Sequence, residues 1–400
     1  MVVFFTSAFM LLAVKDFNVM SMSMVLIVPL IFLVSTVLIP KLFPADRLLL
    51  SLVNFLCALG VLMLYRMDPQ KGFNQAINYG VGVLAMVAMI LLVRHVRRWD
   101  KLIWLVALGS IAFMATPLLF GTERYGAQAW VAVAGISIQP SEVVKIALLL
   151  VEAYLLSKRK VLAAILYAGI CLGFLMLQKD LGTALVFYAT AFIMLLTATG
   201  SLMLLGLGTV GAAVGGAVGY TMFSHVKKRV RIWINPWIDY RGDGYQIVQS
   251  LIAMVNGGPW GVGLGAGNAY DIPAYTTDFI FAVVMNEFGL IFGVVVILLF
   301  VALFLRGIGI ALQSQTRFHM LLSLGAASII IVQTFIIIGG NIKMIPLTGV
   351  TLPFISYGGT SLMSSMAILG LAQGVDSVNK SQLKEDEMLA IWETDAYEAD

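Results

Sequence analysis

The residue whose type and position point most directly to chemistry is Asp278, in the sequence Tyr275-Thr-Thr-Asp-Phe-Ile-Phe-Ala282. It stands where the longest polar stretch of the chain ends and a long apolar run begins. A carboxylate that must leave water at such a junction is costly, so its presence indicates a function. Partial burial raises the pKa of a carboxyl group toward the range that suits a general base. Asp278 is therefore the candidate catalytic residue.

The polar stretch before Asp278, residues 227–277, contains cations and aromatic rings that suit a sugar or a diphosphate. Arg229, Arg231 and Trp233 lie close together in it and are candidates for contact with such a ligand. Two simpler interpretations stay open. The cations also suit an anchor to lipid headgroups, and the tryptophan also suits the aromatic belt of a membrane interface.

A second charged set, Glu142 and Lys145, lies in the sequence Gln139-Pro-Ser-Glu-Val-Val-Lys145. Pro140 is typical of the first turn of a helix, and the i,i+3 spacing lets the two charged side chains pair on one helix face. The pair is either a local feature of a helix start or the polar wall of a substrate cavity. Asp180 most simply caps the helix that follows it.

The segment 341–361 combines Pro346 and Pro353 with glycines next to an apolar run, which predicts broken or re-entrant backbone. Irregular backbone at membrane depth requires cover by protein or a cavity. Lys343 places a cation at the edge of this segment. It is either a ligand-binding residue or a lysine that reaches to the membrane surface.

Membrane helices must position these residues, because the 400-residue chain is 60% hydrophobic and only 12% charged. Soluble domains carry about 25% charged residues. A shorter apolar run at 2–14 is a candidate additional span. Apolar runs long enough for a bilayer core of ~30 Å predict spans near residues 20–40, 47–65, 73–93, 102–120, 139–157, 161–178, 181–199, 201–223, 278–305, 318–340 and 356–375.

Lys and Arg residues lie in alternate loops, at 41–47, 94–101, 158–160 and 306–317, which predicts that these loops and the C-terminus are cytoplasmic. The same rule places residues 121–138, 224–277 and 341–355 outside. The tail at 377–400 is polar and acidic near its end and is predicted to be disordered.

The cysteines and histidines give no sign of a disulfide or of a metal site. Cys57 and Cys171 both lie in apolar runs, which predicts buried free thiols. His95, His225 and His319 are far apart in sequence and have no metal-ligand spacing.

Six motifs together resemble the SEDS family of shape, elongation, division and sporulation proteins, which includes FtsW, RodA and SpoVE. The resemblance covers residues 47–376 and implies about ten core transmembrane helices with a large extracytoplasmic loop at 224–277. Residues 1–46 would add one or two spans, and 377–400 would form a cytoplasmic tail. The motifs are, in order, Gly126-Ala127 through Trp130, Gln139-Pro-Ser-Glu142, Asp180-Leu-Gly-Thr183, Trp233 through Gly265, Thr277-Asp-Phe-Ile-Phe281 and Leu352-Pro-Phe-Ile-Ser-Tyr-Gly-Gly359.

The resemblance implies a peptidoglycan glycosyltransferase in the plasma membrane of a bacterium. Such an enzyme polymerises lipid II into β-1,4 glycan strands, releases undecaprenyl pyrophosphate and works with a class B penicillin-binding protein. By its place in the family motif, Asp278 takes the essential acidic role. A divalent cation, Mg²⁺ or Mn²⁺, is a candidate cofactor, and no nucleic acid is expected as a partner. The residues expected to bind substrate are Glu142, Lys145, Arg229, Arg231, Trp233, Lys343 and Ser356.

The sequence departs from the family pattern at Lys179, at Lys343 and in Asn286-Glu-Phe-Gly289, besides its N-terminal addition. It leaves open whether the protein serves division, elongation or sporulation. Two other functions also stay open. A flippase for lipid-linked oligosaccharides would use the same cavity without a base, and a non-catalytic scaffold would tolerate changes at Asp278. The position of Asp278 at a helix end favours transfer, because proton relays usually need acids deeper in a span.

Overall fold

The computed structural model describes the backbone of residues 1–16, 19–96, 99–124, 127–133 and 136–398. Gly126 of the first motif, Arg97 and Arg98 of one basic loop, and Asp400 of the acidic tail lie outside these described residues.

The described residues are predominantly helical, which confirms the predicted all-α bundle. Polar groups of the backbone must be paired inside a bilayer, and helices achieve this within each segment. The α-helices are α1 (Val2–Asp16), α2 (Val19–Leu42), α3 (Arg47–Met67), α4 (Pro69–His95), α5 (Trp99–Phe120), α6 (Pro140–Ser157), α7 (Val161–Leu177), α8 (Leu181–Thr199), α9 (Leu202–Met222), α10 (Ser224–Ile234), α11 (Tyr245–Gly257), α12 (Ile280–Leu312), α13 (Arg317–Asn341) and α14 (Gly359–Glu398).

Eight of these helices are long and apolar enough to cross a membrane, namely α2, α3, α4, α5, α8, α9, α12 and α13. This finding supports a multi-pass membrane protein. The predicted spans at 139–157, 161–178 and 356–375 also coincide with helices. They are not among the eight: α6 carries Glu142, Lys145 and Glu152, α7 has only 17 residues, and α14 continues into a polar sequence.

The N-terminal addition forms two helices, α1 and α2, which contact each other and α3. The ring of Phe4 stacks on the rings of Phe55 and Phe292, at centroid distances of 6.1 and 6.2 Å. Asn54 of α3 donates a hydrogen bond to the Ser35 hydroxyl of α2 at 2.9 Å. Both helices are thus joined to the remainder of the bundle by packing and by a buried polar contact.

A small antiparallel sheet occupies the predicted outer loop at 121–138. Its strands are β1 (Thr122–Arg124), β2 (Ala127–Val133) and β3 (Ile136–Ile138), in the order β1-β2-β3. The sequence interpretation gave this loop no regular structure, because two of its three strands have only three residues each and leave almost no periodic signal.

The helix that follows Asp278, α12, is interrupted at Gly289, where φ is 85° and ψ is 172°. Residues 258–263 fill the interruption: the Leu290 amide donates to the Gly258 carbonyl at 2.8 Å, and the Gly263 amide donates to the Glu287 carbonyl at 3.0 Å. A Cβ atom at Gly289 would lie 2.4 Å from the Gly261 nitrogen, so only glycine fits. The outer loop is therefore hydrogen-bonded to α12 at its third turn.

The motif Asn286-Glu-Phe-Gly289 fixes the same loop through its side chains. Glu287 forms a buried salt bridge with Arg66 of α3 at 2.7 Å and accepts a hydrogen bond from the Gly265 amide at 3.0 Å. Asn286 donates to the Ala253 carbonyl of α11 at 2.7 Å. These contacts give the motif a structural role near the candidate site.

Two predictions about the C-terminal third have different outcomes. Residues 346–358, between α13 and α14, contain no regular helix or strand, as predicted for a broken segment. The prediction that the tail is disordered was wrong, because α14 continues without interruption to Glu398. The helix-forming residues Leu, Lys, Glu, Met and Ala between 383 and 390 favour this continuation over the disorder that acidic composition suggested.

Candidate active site

The backbone around Asp278 is held by three hydrogen bonds from the C-terminal part of the chain. Asn341, the last residue of α13, donates from Nδ2 to the Asp278 carbonyl at 2.7 Å. The Ser356 hydroxyl donates to the Thr277 carbonyl at 2.7 Å, and the Tyr357 amide donates to the Thr276 carbonyl at 2.8 Å. The position of the Asp278 carboxylate is thus set by residues about 60 to 80 positions later in the sequence.

The Asp278 carboxylate and the Arg229 guanidinium lie on either side of Gly349. A Cβ atom at Gly349 would be 3.6 Å from Asp278 Oδ2 and 3.5 Å from Arg229 Nη2. Gly349 has a φ of 77°, which favours glycine, and it is exposed. We call Asp278, Arg229, Thr348 and Gly349 the Asp278 cluster. Because Gly349 lacks a side chain and is exposed, a ligand can approach both charges there.

Burial raises the pKa of Asp278 to about 6, although a hydrogen bond from Thr277 and the charge of Arg229 both act to lower the pKa. Burial has the opposite effect on the cation and lowers the pKa of Arg229, against the charges of Asp278 and Asp180. A carboxyl with a pKa near 6 is mostly ionised at neutral pH and accepts a proton more readily than an ordinary aspartate.

Helix α10 presents Arg229 and Trp233 to the segment between α13 and α14. Arg229 Nη1 donates to the Thr348 carbonyl at 2.7 Å, and Trp233 Nε1 donates to the Lys343 carbonyl at 3.1 Å. The i,i+4 spacing puts these two side chains on one face. Arg231 lies about 200° around the helix from Arg229 and is exposed. The structure thus brings Arg229 and Trp233 to the site and leaves Arg231 facing away.

Glu142 and Lys145 form a buried ion pair at 2.8 Å, and their side chains are only 7% and 3% exposed. Lys145 also donates to Gln333 Oε1 at 3.0 Å, and the Ser364 hydroxyl donates to Glu142. We call these four residues the Lys145 cluster. The i,i+3 contact agrees with the interpretation of the pair as a local feature of a helix start. The contacts with Gln333 and Ser364, which are distant in sequence, show that the pair is also part of a larger polar cluster.

A short stretch of backbone, 348–351, joins the two clusters. Its Thr348 carbonyl accepts the hydrogen bond from Arg229, and its Thr351 carbonyl accepts one from Gln333 Nε2 at 2.8 Å. Four residues span at most ~14 Å. A displacement in the Lys145 cluster would therefore be transmitted directly to the backbone that positions Arg229.

Asp180 caps α8, as predicted, by accepting a hydrogen bond from the Thr183 amide at 3.1 Å. Its other oxygen accepts from Gln139 Nε2 at 3.0 Å. Burial raises the pKa of Asp180, although these hydrogen bonds act to lower it. Its charge acts on Arg229 as well, so Asp180 belongs to the electrostatic surroundings of the Asp278 cluster.

The two remaining predicted site residues lie on the segment between α13 and α14. Ser356 is buried, and besides its contact with Thr277 its hydroxyl accepts a hydrogen bond from the Leu352 amide at 2.9 Å. Lys343 is half-buried, with a φ of 60°. Ser356 therefore supports the backbone at Thr277, next to Asp278, and the backbone of Lys343 contacts Trp233.

No group of three or more His, Cys, Asp or Glu side chains that could hold a metal ion occurs among the described residues. Cys57 and Cys171 are buried free thiols, as predicted. The described part of the chain therefore does not supply a complete set of ligands for a metal ion from such side chains.

Sequence interpretation missed Gln333, Asn341, Gly349 and Ser364 as members of the site. Three of them are polar residues within or beside apolar runs, which is a signal of internal hydrogen bonding. Gly349 had no such signal, because glycine is frequent throughout the segment. Which of these residues meet each other depends on the packing of α6, α13 and α14.

Comparison with known proteins gives consistent results. The family described as "Cell cycle protein" (FTSW_RODA_SPOVE) matches residues 40–381. The chain is 34% identical over 359 residues to the peptidoglycan glycosyltransferase RodA of Mycobacterium tuberculosis (strain H37Rv), covering 82% of this chain and 76% of the relative. It is 33% identical over 360 residues to the stage V sporulation protein E of Bacillus subtilis (strain 168), covering 84% and 98%.

Two solved structures are similar to the whole bundle. A chain of a peptidoglycan synthase complex, described under "Structural coordination of polymerization and crosslinking", aligns with a TM-score of 0.71 at 28% identity, covering 84% of this chain and 98% of that chain. The rod shape determining protein RodA of Thermus thermophilus aligns with a TM-score of 0.60 at 27% identity, covering 83% and 96%.

Proposed function

This chain belongs to the FtsW/RodA/SpoVE family, and we infer that it is a peptidoglycan glycosyltransferase of a bacterial cell membrane. The observation that carries the inference is the placement of Asp278, a carboxyl group with a raised pKa beside Arg229 at an exposed glycine. Relatives that cover most of the chain are named peptidoglycan glycosyltransferases. The bundle supplies the membrane setting that a lipid-linked sugar requires.

The reaction we propose joins two lipid II molecules, or lipid II and a growing glycan strand. The 4-hydroxyl of an acceptor N-acetylglucosamine attacks the anomeric carbon of the donor sugar. The new β-1,4 carbon–oxygen bond forms as the bond between that carbon and the diphosphate oxygen breaks. Configuration at the carbon is inverted, the hydroxyl loses its proton, and undecaprenyl pyrophosphate departs with the bonding electron pair.

Asp278 accepts the proton of the attacking hydroxyl in this proposal. Its pKa of about 6 leaves it ionised at neutral pH, yet it is a stronger base than an ordinary aspartate. The hydrogen bonds from Asn341 and Ser356 to the backbone at 277 and 278 limit its movement. A fixed base near the acceptor lowers the entropic part of the barrier.

Positive charge must meet the departing diphosphate, and Arg229 is the cation best placed to supply it. One N–H of its guanidinium is held by the Thr348 carbonyl, and a guanidinium has five donors in all. Lys343 lies on the same segment, beside Trp233. Lys145 acts from the interior, since it is almost fully buried and paired with Glu142. Arg231 faces away from Arg229 and is left for contact with lipid headgroups.

We further propose that any divalent cation enters together with the diphosphate. Mg²⁺ is commonly held by one or two carboxylates plus substrate phosphates, and the described residues offer no complete site of their own. The diphosphate would then supply most of the ligands to the ion, because both oxygens of Asp180 already accept hydrogen bonds and Asp278 serves as the base. Polymerisation should then depend on Mg²⁺ or Mn²⁺ and stop when EDTA is added.

A class B penicillin-binding protein is the proposed partner, because a similar chain occurs in a peptidoglycan synthase complex. The Asp278 cluster would face the outside of the cell and the C-terminus the cytoplasm. The alternation of basic loops supports this orientation.

The direct test is polymerisation of fluorescent lipid II by the purified protein, with Mg²⁺, in the presence and absence of the candidate partner. Wild type, Asp278→Asn and Asp243→Asn would be compared on a gel. Asp243 is the matched control, since it is an exposed carboxylate of the same outer loop. Polymer from wild type and Asp243→Asn only is the expected result. Movement of lipid II between leaflets without polymer would support a flippase. If the protein neither polymerised lipid II nor moved it between leaflets, the result would support a scaffold.

A further inference from the structure

A cavity of about 800 Å³ lies at the opposite end of the bundle from Asp278. Helix α6 connects the two regions, since it begins at Pro140 near Asp180 and ends at Ser157 in the cavity wall. Helix α13 does so as well, because Arg317 lines the cavity and Asn341 holds Asp278. The cavity is closed in by ends of α4, α5, α6 and α13 and by the middle of α14.

Cations outnumber carboxylates in the lining of this cavity. Arg94, Lys158 and Arg317 project from three different helix ends, while Asp100 and Glu385 are the acidic residues. His95 and His319 also line the cavity. The Asp100 carboxylate is engaged by a hydrogen bond from the Tyr154 hydroxyl. Arg317 contacts the Ala198 carbonyl through one N–H, so most of its five donors remain for a ligand.

Aromatic and aliphatic side chains complete the lining. The rings of Trp99 and Phe318 pack together at a centroid distance of 5.1 Å, and Val93 and Val96 lie on the α4 side. A site that combines cations with apolar side chains matches a phosphate attached to a hydrocarbon body. A soluble anion would need no apolar wall.

The depth of the cavity matches the headgroup layer of a bilayer. Helix α6 has 18 residues, so it spans ~27 Å, close to the ~30 Å hydrocarbon thickness. Its two ends therefore lie near the two membrane surfaces. The end with the cavity also carries the basic loops that indicate the cytoplasmic side, where the leaflet is rich in anionic lipid.

We propose that this cavity binds the headgroup of an anionic phospholipid from the cytoplasmic leaflet. Arg94 and Lys158 contact the phosphate from opposite walls, and Trp99 and Phe318 contact the glycerol and the first acyl carbons. Basic pockets between transmembrane helices on the cytoplasmic side recognise such headgroups. The bound lipid would join α4, α6 and α13, the last two of which extend to the active site. The site is independent of the glycosyl transfer chemistry.

Native mass spectrometry of the delipidated full-length protein tests the proposal. Phosphatidylglycerol and phosphatidylcholine with the same acyl chains would be titrated separately. For each lipid, the dissociation constant of the most tightly bound molecule would be measured. We expect phosphatidylglycerol to bind at least tenfold more tightly and to raise the melting temperature. The double variant Arg94→Gln/Lys158→Gln should weaken phosphatidylglycerol binding by about 25-fold, at about fivefold per cation removed.

The control double variant is Lys101→Gln/Lys160→Gln, which removes two cations from the same membrane face that do not line the cavity. It should change the affinity less than twofold. Equal binding of the two lipids, or equal losses in the two double variants, would overturn the proposal. Displacement of phosphatidylglycerol by glycerol phosphate at equal concentration would overturn it in favour of a soluble anion. If the first variant does not fold, Lys158→Gln alone against Lys160→Gln makes the same comparison.

Discussion

The Asp278 cluster and the Lys145 cluster lie at the same end of the bundle but differ in how their charges are satisfied. Glu142 and Lys145 pair with each other, and Gln333 and Ser364 take up their remaining groups. Within the described part of the chain, Asp278 has no salt bridge within 4.0 Å, and the glycine beside it is exposed. A fully paired buried cluster fixes a structure. An incompletely paired one retains capacity to bind and to react.

This difference assigns separate roles to Arg229 on one side and to Glu142 and Lys145 on the other, although the sequence analysis predicted that all three bind substrate. Asp278 and Arg229 would contact the substrate, whereas Glu142 and Lys145 would position the segment 348–351 between the clusters. Substitutions should therefore separate the two clusters by their effects on rate and on stability.

The largest effect on rate is expected for Asp278→Asn. A general base contributes about 10²- to 10⁴-fold, and polymerisation should fall by that factor because the amide cannot accept the proton.

The raised pKa of Asp278 means that the folded state holds a proton more tightly than the unfolded state. Folding thus carries a penalty at neutral pH that is absent at pH well below 4. Removing the charge should leave the melting temperature at pH 8 unchanged or higher.

The largest effect on stability is expected for Glu142→Gln. It leaves the Lys145 ammonium buried without its anion, which costs about 3–5 kcal/mol. The double variant Glu142→Gln/Lys145→Met should recover most of this loss, since no charge is left unpaired. Thermal unfolding in detergent measures both. If the double variant regains stability but stays inactive, Lys145 has a role in the reaction beyond positioning.

A smaller loss of activity is expected for Arg229→Lys, because an ammonium cannot keep the Thr348 contact and also present several donors to a diphosphate. Losing a hydrogen bond to a charged group costs about 1.5–3 kcal/mol, which corresponds to about a 10- to 100-fold lower kcat/KM. Arg231→Lys, on the opposite face of α10, is the matched control and should change kcat/KM less than twofold. Equal losses in both would contradict the orientation of α10.

The smallest effect among these is expected for Ser356→Ala. The substitution leaves the buried Leu352 amide and Thr277 carbonyl without their partner, at a cost of about 1–3 kcal/mol. The melting temperature should fall, while kcat falls less than tenfold because Asn341 still holds Asp278. Replacement by Thr, which keeps the hydroxyl, should restore most of the stability.

Much of the helical framework was predictable, because a run of about 20 apolar residues has few alternatives in a membrane. Each predicted span corresponds to a helix, and its ends differ by a few residues at most sites. The sheet at 122–138 and the helical tail were not predicted. Two of the three strands have only three residues and carry no period, and the acidic composition of the tail concealed its helix-forming residues.

Several charged residues of the candidate site could be singled out from the sequence, but their grouping and their neighbours Gln333, Asn341 and Ser364 could not. The i,i+3 spacing predicted the contact between Glu142 and Lys145, which is local, and the junction of polar and apolar sequence indicated Asp278. Contacts such as Lys145 with Gln333 span 188 positions and follow only from the packing of α6 on α13. The opposite orientations of Arg229 and Arg231 required knowing that residues 224–234 form a helix.

The pH dependence of the polymerisation rate tests the role of Asp278 most directly. With lipid II well below its KM, so that the rate follows kcat/KM and reports the free enzyme, the wild-type rate should rise about tenfold per pH unit below pH 6 and level off above it, because only the ionised carboxylate accepts the proton. Asp278→Glu should shift or remove this transition, and Asp243→Asn should leave it in place. A wild-type rate that stays constant from pH 5 to pH 7.5, with the protein folded throughout, would contradict the assignment of Asp278 as the base.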